Sequence, residues 1–455
     1  MMHLTPQIIA GITGGEYIGD GLGRDARITG AVRDNREAKH GNLFVCIRGA
    51  RVDGHSFANA AFDSGAVCCL AEQRIPNAKG PYVLVGSTLE AIKAIGGYYR
   101  SLFKRPVVGV TGSVGKTTAK ELIAAALGTK LRVHKTTDNL NNELGVPLTL
   151  LSLDERHDVG VIEMGISTFG EMGRLAEMVR PDILVITRIG YSHLEDLGDL
   201  NGVLRAKTEV FAYMASDGIA VMNGDDELLR DFDSGMRKLT FGLEKHNDIR
   251  AENIRAEGTD FVMCDVVSDV GRFPVKIPAY GSHIAQLALP GVIIGRLLGL
   301  TDAEIGRGLL GYAPVGGRSN VAGAGFITLI DDCYNANPNS VEAALTSLSA
   351  LDGRRVAILG DMLGLGAQTD KLHEDVGAFA ARGYVDALVC CGDKACLIYD
   401  GYIAAGGKEA RYFPEKAGLI EALPRLIKKG DAVLVKASRG MEFEEFIPVL
   451  QNMGG

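Results

Sequence analysis

The chain has 455 residues, of which 46% are hydrophobic and 23% charged, with a formal net charge of −8. This balance excludes a disordered or fibrous chain and argues against nucleic acid as the main partner, because gripping a phosphate backbone needs a basic face. At roughly 150 residues per domain, about three domains are expected.

Residues 1–5 lack a basic segment followed by an apolar one, and no apolar run of about 18 residues occurs, so a cytoplasmic protein without membrane insertion is expected. The eight cysteines show no metal-type spacing. The adjacent pairs Cys68-Cys69 and Cys390-Cys391 fall in apolar, strand-like runs and read as small buried residues.

The first hundred residues read as a small α/β unit, with strands over 41–49 and 66–70 and a helix over 57–64 between them. Their polar clusters, Asp34-Asn35-Arg36 and Asp53-Gly54-His55, are loop chemistry when taken alone. An apolar, β-branched run then stops at glycines, and an alanine-rich helical stretch over 119–127 begins. That is the layout of a phosphate-binding loop spanning Gly112, Ser113, Val114, Gly115, Lys116, Thr117 and Thr118. Backbone N–H groups surround the anion, Lys116 neutralises phosphate charge and the Thr117 hydroxyl holds magnesium. Val110 stands where the longer G-x-x-x-x-G-K-T pattern has its first glycine, leaving the shorter G-x-x-G-K-T.

Short β-branched runs at 160–165 and 183–187, each followed by a helical stretch, imply a parallel sheet covered on both faces. Ligands of such sheets sit beyond the carboxyl ends of the strands, where the phosphate loop, Glu163 and the segment from Gly190 to His193 converge. A glutamate ending an apolar strand is costly to desolvate unless it is paired or bound to a cation, so Glu163 is either a metal ligand or half of an ion pair. His193 reads either as a ligand or as a loop histidine. After about residue 239 the pattern turns antiparallel over 249–254, 261–267 and 273–277, followed by helices over 283–298 and 302–310. Residues 312–318 read as a linker. Beyond it, strands at 327–330, 356–359, 387–390 and 432–435 alternate with helices in a smaller, doubly wound domain. The expected domains are 1–103, 104–313 and 314–455.

The loop 112–118, the run 139–149, Glu163-Met164-Gly165, Ser192-His193 and the run 205–209 together resemble the Mur ligase family. The resemblance extends to 331–338, 359–362, His373 and 436–440 beyond the linker, and to 34–36, 41–45 and 53–55 in the first domain. It implies a small α/β UDP-binding domain, a central P-loop parallel-sheet ATPase domain and a C-terminal Rossmann-like domain. The implied activity belongs to peptidoglycan precursor synthesis: an ATP-dependent ligase joining D-alanyl-D-alanine to the terminal carboxylate of a UDP-N-acetylmuramoyl tripeptide through an acyl phosphate. A monomer is expected.

Residue roles follow from the same resemblance. Lys116 grips ATP phosphates, Thr117 and Glu163 hold one magnesium, and Glu163 with His193 holds a second. Lys207, otherwise an ordinary helix lysine, carries a carbamate, which turns a cationic amine into an anionic oxygen ligand suited to a hard cation. Asp332 binds the ATP ribose and Arg318, otherwise a linker residue, reaches the phosphates. Asn141 and Asn142 lie near the UDP-peptide, Asp34, Asn35 and Arg36 near uridine diphosphate, and Asn335, Asn337, Asp361, Ser438 and Arg439 on the substrate side of the last domain. The chain departs from the family pattern at Arg188, at Gly364, at Asn35 and at Leu287. Leu287 replaces an adenine-contacting asparagine unless Gln286 takes that role. A related ligase with another acceptor, and a non-catalytic nucleotide-binding paralogue, are the alternative functions.

Overall fold

The computed structural model describes residues 4–453 apart from 22, 50, 51 and 319; Met1, Met2 and His3, on which part of the N-terminal reading rests, lie outside them. Three sheets organise the chain. The first has five strands in the order 16–18, 82–84, 68–71, 42–45, 30–32, all parallel except the edge strand Glu16–Ile18. Cys68 and Cys69 lie fully buried on one of its inner strands, and all eight cysteines are free thiols.

The second sheet has nine strands. Its parallel centre places Val107–Thr111 between Val159–Glu163 and Ile183–Ile186. All residues of these three strands are buried, as the continuous β-branched runs require of a sheet covered on both faces. The segment after residue 239 does not form a separate unit. Ile249–Glu257 pairs in parallel with Arg237–Gly242, and Phe261–Ser268 and Gly271–Ile277 then add antiparallel strands to the same sheet. The helices Lys116–Leu127 and His283–Leu297 pack against each other on this sheet.

The third sheet runs 320–324, 327–331, 432–436, 355–360, 387–391, 410–413. Two of its strands, Asn320–Ala324 and Ala410–Phe413, escape the sequence pattern because they are short edge strands. This domain docks on the central one at several points. Tyr191 N–H donates to Asn339 Oδ1 at 3.2 Å, Tyr280 Oη donates to the Ser347 carbonyl at 2.6 Å, and Glu195 N–H donates to the Gly364 carbonyl at 3.3 Å.

The last of these contacts lies directly behind His193. Gly364 and Gly366 both have left-handed backbone, at φ +74° and +56°, and a Cβ on Gly366 would stand 3.0 Å from Glu195 Cα. A Gly366→Ala variant therefore carries about 1–2 kcal/mol of left-handed strain, plus a clash at the docking contact. It is expected to lower thermal stability by roughly that amount and to raise the KM for ATP several-fold, as checked by thermal unfolding and steady-state kinetics. No helix among the described residues is long and apolar enough to cross a membrane.

Candidate active site

The phosphate loop joins the strand Val107–Thr111 to the helix Lys116–Leu127. Gly112 is required twice over: its φ is +143°, and a Cβ there would collide with Thr187 Oγ1. The loop is tied to the neighbouring strand end. Ser113 N–H donates to the Arg188 carbonyl at 2.8 Å, Ser113 Oγ donates to the Gly190 carbonyl at 3.0 Å, and Thr187 Oγ1 donates to the Val114 carbonyl at 2.6 Å. Strand order thus carries Glu163 on one side of the loop and the segment leading to His193 on the other.

A cavity of about 480 Å³ opens over this loop. Ser113, Val114, Gly115, Lys116, Thr117 and Thr118 form its floor, with Glu163, Asn141, Asn142 and His193 on the central domain's side. Arg318, Asp332, Asn335 and Asn337 close it from the third sheet. The Lys116 amine donates to the Gly112 carbonyl at 2.7 Å. Its pKa is lowered chiefly by desolvation; the Glu163 carboxylate opposes that shift and the Arg318 guanidinium adds to it.

Glu163 is 1% exposed. Its Oε1 accepts from Thr117 Oγ1 at 3.0 Å and from Asn141 Nδ2 at 2.9 Å, whereas Oε2 is sealed from solvent and accepts no hydrogen bond. Among the described residues no three His, Cys, Asp or Glu side chains form a metal cage. One carboxylate beside one hydroxyl fits magnesium, which keeps several waters and takes its other ligands from substrate phosphates. His193 sits in left-handed backbone at φ +53°, with its ring open to the cavity. Desolvation, with the neighbouring Lys207 and Lys116 adding to it, lowers its pKa to about 4, which favours the neutral imidazole that a metal ion needs.

Lys207, on the helix Leu200–Thr208, is 2% exposed and does not line the cavity, but lies behind it. Burial, with the Lys116 ammonium adding to it, pushes its pKa well below the ordinary lysine value, and no acid offsets that shift. Burial at this position favours the neutral amine over the ammonium.

On the opposite wall, the parallel strands Ile327–Asp331 and Ala432–Lys436 end side by side, and Lys436 Nζ donates to Asp332 Oδ2 at 2.6 Å. The Arg318 guanidinium stacks 4.0 Å from the Tyr334 ring centroid. Leu287 lies in the cavity against Gly115, while the Gln286 amide is held by Asp225 Oδ2 at 2.8 Å and Asn223 Oδ1 at 3.2 Å. Gln286 is thus held outside the cavity lining, off the wall where that one-residue shift would have placed it. Leu287 and the buried, unbonded Nδ1 of His283 occupy that wall instead.

Other anticipated residues lie elsewhere. Asp361 accepts from the N–H groups of Asp393, Lys394 and Ala395 at 2.7–3.1 Å, a loop-ordering task, and lies outside the cavity lining with Ser438 and Arg439. Ser438 Oγ accepts from Leu363 N–H at 2.8 Å. His373 is buried, accepting from Met362 N–H and bonded to the Thr369 carbonyl. Asp34, Asn35 and Arg36 lie on the first domain, away from the cavity. There Arg36 clamps Asp34 in a bidentate pair that lowers the aspartate pKa to about 2. Glu171, Tyr334 and Lys436 also line the cavity. Of these, Tyr334 and Lys436 fall in recognised runs, and Glu171 carries no sequence signal.

A phosphate loop flanked by a buried carboxylate, and closed over by a second doubly wound domain, defines a nucleotide-dependent enzyme whose site is completed between domains. Comparison with known proteins agrees. Residues 110–294 match the Mur ligase middle domain, 317–439 the Mur ligase glutamate ligase domain, and 27–100 the Mur ligase family catalytic domain. The chain belongs to the Mur ligase family. It is 35% identical over 428 residues to the UDP-N-acetylmuramoyl-tripeptide–D-alanyl-D-alanine ligase of Bacillus subtilis, covering 92% of each chain. It is 34% identical to that of Escherichia coli, covering 100% of each. The crystal structure of MurF from Acinetobacter baumannii superposes with a TM-score of 0.88 at 28% identity, covering 99% of both chains. MurF from Thermotoga maritima in complex with ADP gives 0.80 at 28% identity, covering 93% of this chain and 97% of that one.

Proposed function

We propose that this chain is the ATP-dependent ligase that joins D-alanyl-D-alanine to the terminal carboxylate of a UDP-N-acetylmuramoyl tripeptide, in peptidoglycan precursor synthesis. The observation that carries this reading is the single cavity in which the phosphate loop and Glu163 meet Arg318 and Asp332 from the other domain. A carboxylate oxygen of the tripeptide attacks the γ-phosphorus of ATP, the bond to the bridging oxygen breaks, and ADP leaves. The dipeptide amine then attacks the acyl carbon of the resulting acyl phosphate and loses a proton, and inorganic phosphate leaves with the C–O electron pair.

Positioning and electrostatics supply most of the rate in such transfers. Lys116 and the loop N–H groups neutralise charge on the phosphates, and Arg318 adds a cation from the opposite wall. The docked third domain keeps water from the acyl phosphate, which water would otherwise hydrolyse. Thr117, Glu163 and His193 would hold magnesium, which supplies Lewis-acid stabilisation of the phosphoryl oxygens. Lys207, as a neutral amine, adds to carbon dioxide to give a carbamate and a proton, so that an anionic oxygen replaces a cation behind the site. Asn141 and Asn142 would meet the peptide, and Asp34, Asn35 and Arg36 the uridine diphosphate. A cavity walled by two domains of one chain supports action as a monomer, and dependence on ATP supports a cytoplasmic setting.

The test is phosphate release by purified protein with ATP, magnesium and UDP-N-acetylmuramoyl tripeptide, with and without D-alanyl-D-alanine, together with mass detection of the pentapeptide. A dipeptide-dependent product is expected; its absence would overturn the reading.

A further inference from the structure

Lys120 lies one helical turn beyond Lys116, and nothing in the proposed reaction uses it. Its side chain is 1% exposed, among the largest fully buried in the protein. Nζ donates to the Thr136 carbonyl at 2.7 Å and pairs with Glu121 Oε1 at 3.0 Å and Glu163 Oε2 at 3.7 Å. Glu121 is in turn paired with Lys135.

The contact to Glu163 falls on the oxygen that has no hydrogen bond. Thr117 and Asn141, which both line the cavity, hold Oε1; among the described residues, Lys120 is the only cation within 4 Å of Oε2. Thr136 fixes both members: its carbonyl accepts from Lys120 and its hydroxyl accepts from Glu163 N–H at 2.9 Å. A buried carboxylate oxygen without a hydrogen bond is costly unless a charge compensates it, and at this depth a lone ammonium is equally costly. Lys120, itself held by the Thr136 carbonyl and Glu121, places its positive charge 3.7 Å from Oε2, in a geometry set by one threonine.

We propose that Lys120 is a positioning residue for the transfer reaction. It holds Glu163 from behind by Oε2, so that Oε1 stays aimed past Thr117 at the divalent cation of the bound nucleotide. This rests on the reading of Glu163 as a metal ligand. Because the ammonium stands at Oε2, it orients the carboxylate without competing for Oε1, the oxygen bonded to the cavity-lining Thr117 and Asn141.

The test uses Mn²⁺ as the probe, titrated by electron paramagnetic resonance into full-length protein with ADP. Lys120→Gln, which keeps a donor and drops the charge, is expected to weaken Mn²⁺ binding about tenfold. It is also expected to lower kcat about tenfold while the KM for ATP moves less than twofold, and Lys120→Arg should recover most of both losses. In a Glu163→Gln background, Lys120→Gln should change Mn²⁺ binding less than twofold, because Lys120 acts through that carboxylate. If Lys120→Gln alone fails to fold, the double variant with Glu121→Gln, which also removes the partner charge, carries the same measurement. A folded variant with parental Mn²⁺ affinity, or an undiminished effect in the Glu163→Gln background, overturns the proposal while leaving the ligase reading intact. Parental Mn²⁺ binding that does not depend on Glu163 removes the metal role of Glu163 and this proposal with it.

Discussion

A Lys116→Met variant is expected to fold like the parent and to lose about 10³-fold in kcat, or roughly 4 kcal/mol of transition-state stabilisation. Without a nucleotide, the Lys116 amine rests on one carbonyl, that of Gly112 at 2.7 Å, and desolvation lowers its pKa. A phosphate oxygen supplies the direct ion-pair partner that Glu163, which acts on this half-buried amine only through space, does not. The interaction is therefore strongest when negative charge is spread over the transferring phosphoryl group. Methionine keeps the length and the packing, so thermal unfolding should remain within a few degrees of the parent while dipeptide-dependent phosphate release collapses. Retention of more than a tenth of the parental rate would show that Arg318 and the loop N–H groups carry the charge without Lys116.

The second large effect is expected at Lys207. Lys207→Ala should lower ligation about 10²-fold, because it removes the oxygen ligand that the carbamate is proposed to provide. The parental enzyme should also depend on carbon dioxide with a definite sign in pH. Carbamate formation releases a proton, so acid reverses it; added bicarbonate should raise activity most on the acid side of neutrality and little above it. Burial lowers the lysine pKa well below its usual value, which favours the neutral amine that reacts with carbon dioxide. A carbamate carbon resonance after labelling with ¹³C-bicarbonate, absent in Lys207→Ala, is the direct check. A Lys207→Ala enzyme that ligates at the parental rate would dismiss the role.

Much of the candidate site is legible from the chain because its parts are local. The phosphate loop is contiguous, so a strand before it and a helix after it are enough to place Lys116 and Thr117. Glu163 and His193 are legible one step further on, since both follow buried strands and parallel sheets gather ligands at their carboxyl ends. Arg318, Asp332 and Lys207 have no local signature of that kind: on sequence alone they are a linker arginine, a strand-end acid and a helix lysine, and only family resemblance singles them out.

Other features depend on pairings that no window of sequence contains. The antiparallel strands over 261–268 and 271–277 show the period of a half-buried sheet, but their membership in the central sheet rests on the parallel pairing of Ile249 with Phe241. The edge strand Asn320–Ala324 pairs on one side only and its small residues carry no period. The orientation of Gln286 away from the cavity is decided by Asn223 and Asp225, which lie more than sixty residues earlier.

The sequence by itself determined the local chemistry: a loop shaped for phosphate, an acid at the end of a buried strand, and the elements that flank them. Backbone preference and hydrophobic period are short-range properties, and they act wherever those residues stand. Tertiary structure alone decided which groups meet. The strand order set Glu163 and the segment before His193 on either side of one loop, domain docking brought Arg318 and Asp332 over it, and packing enclosed Lys207 and Lys120 away from water. Contact and desolvation are properties of packing, and both arise only when distant segments exclude water together.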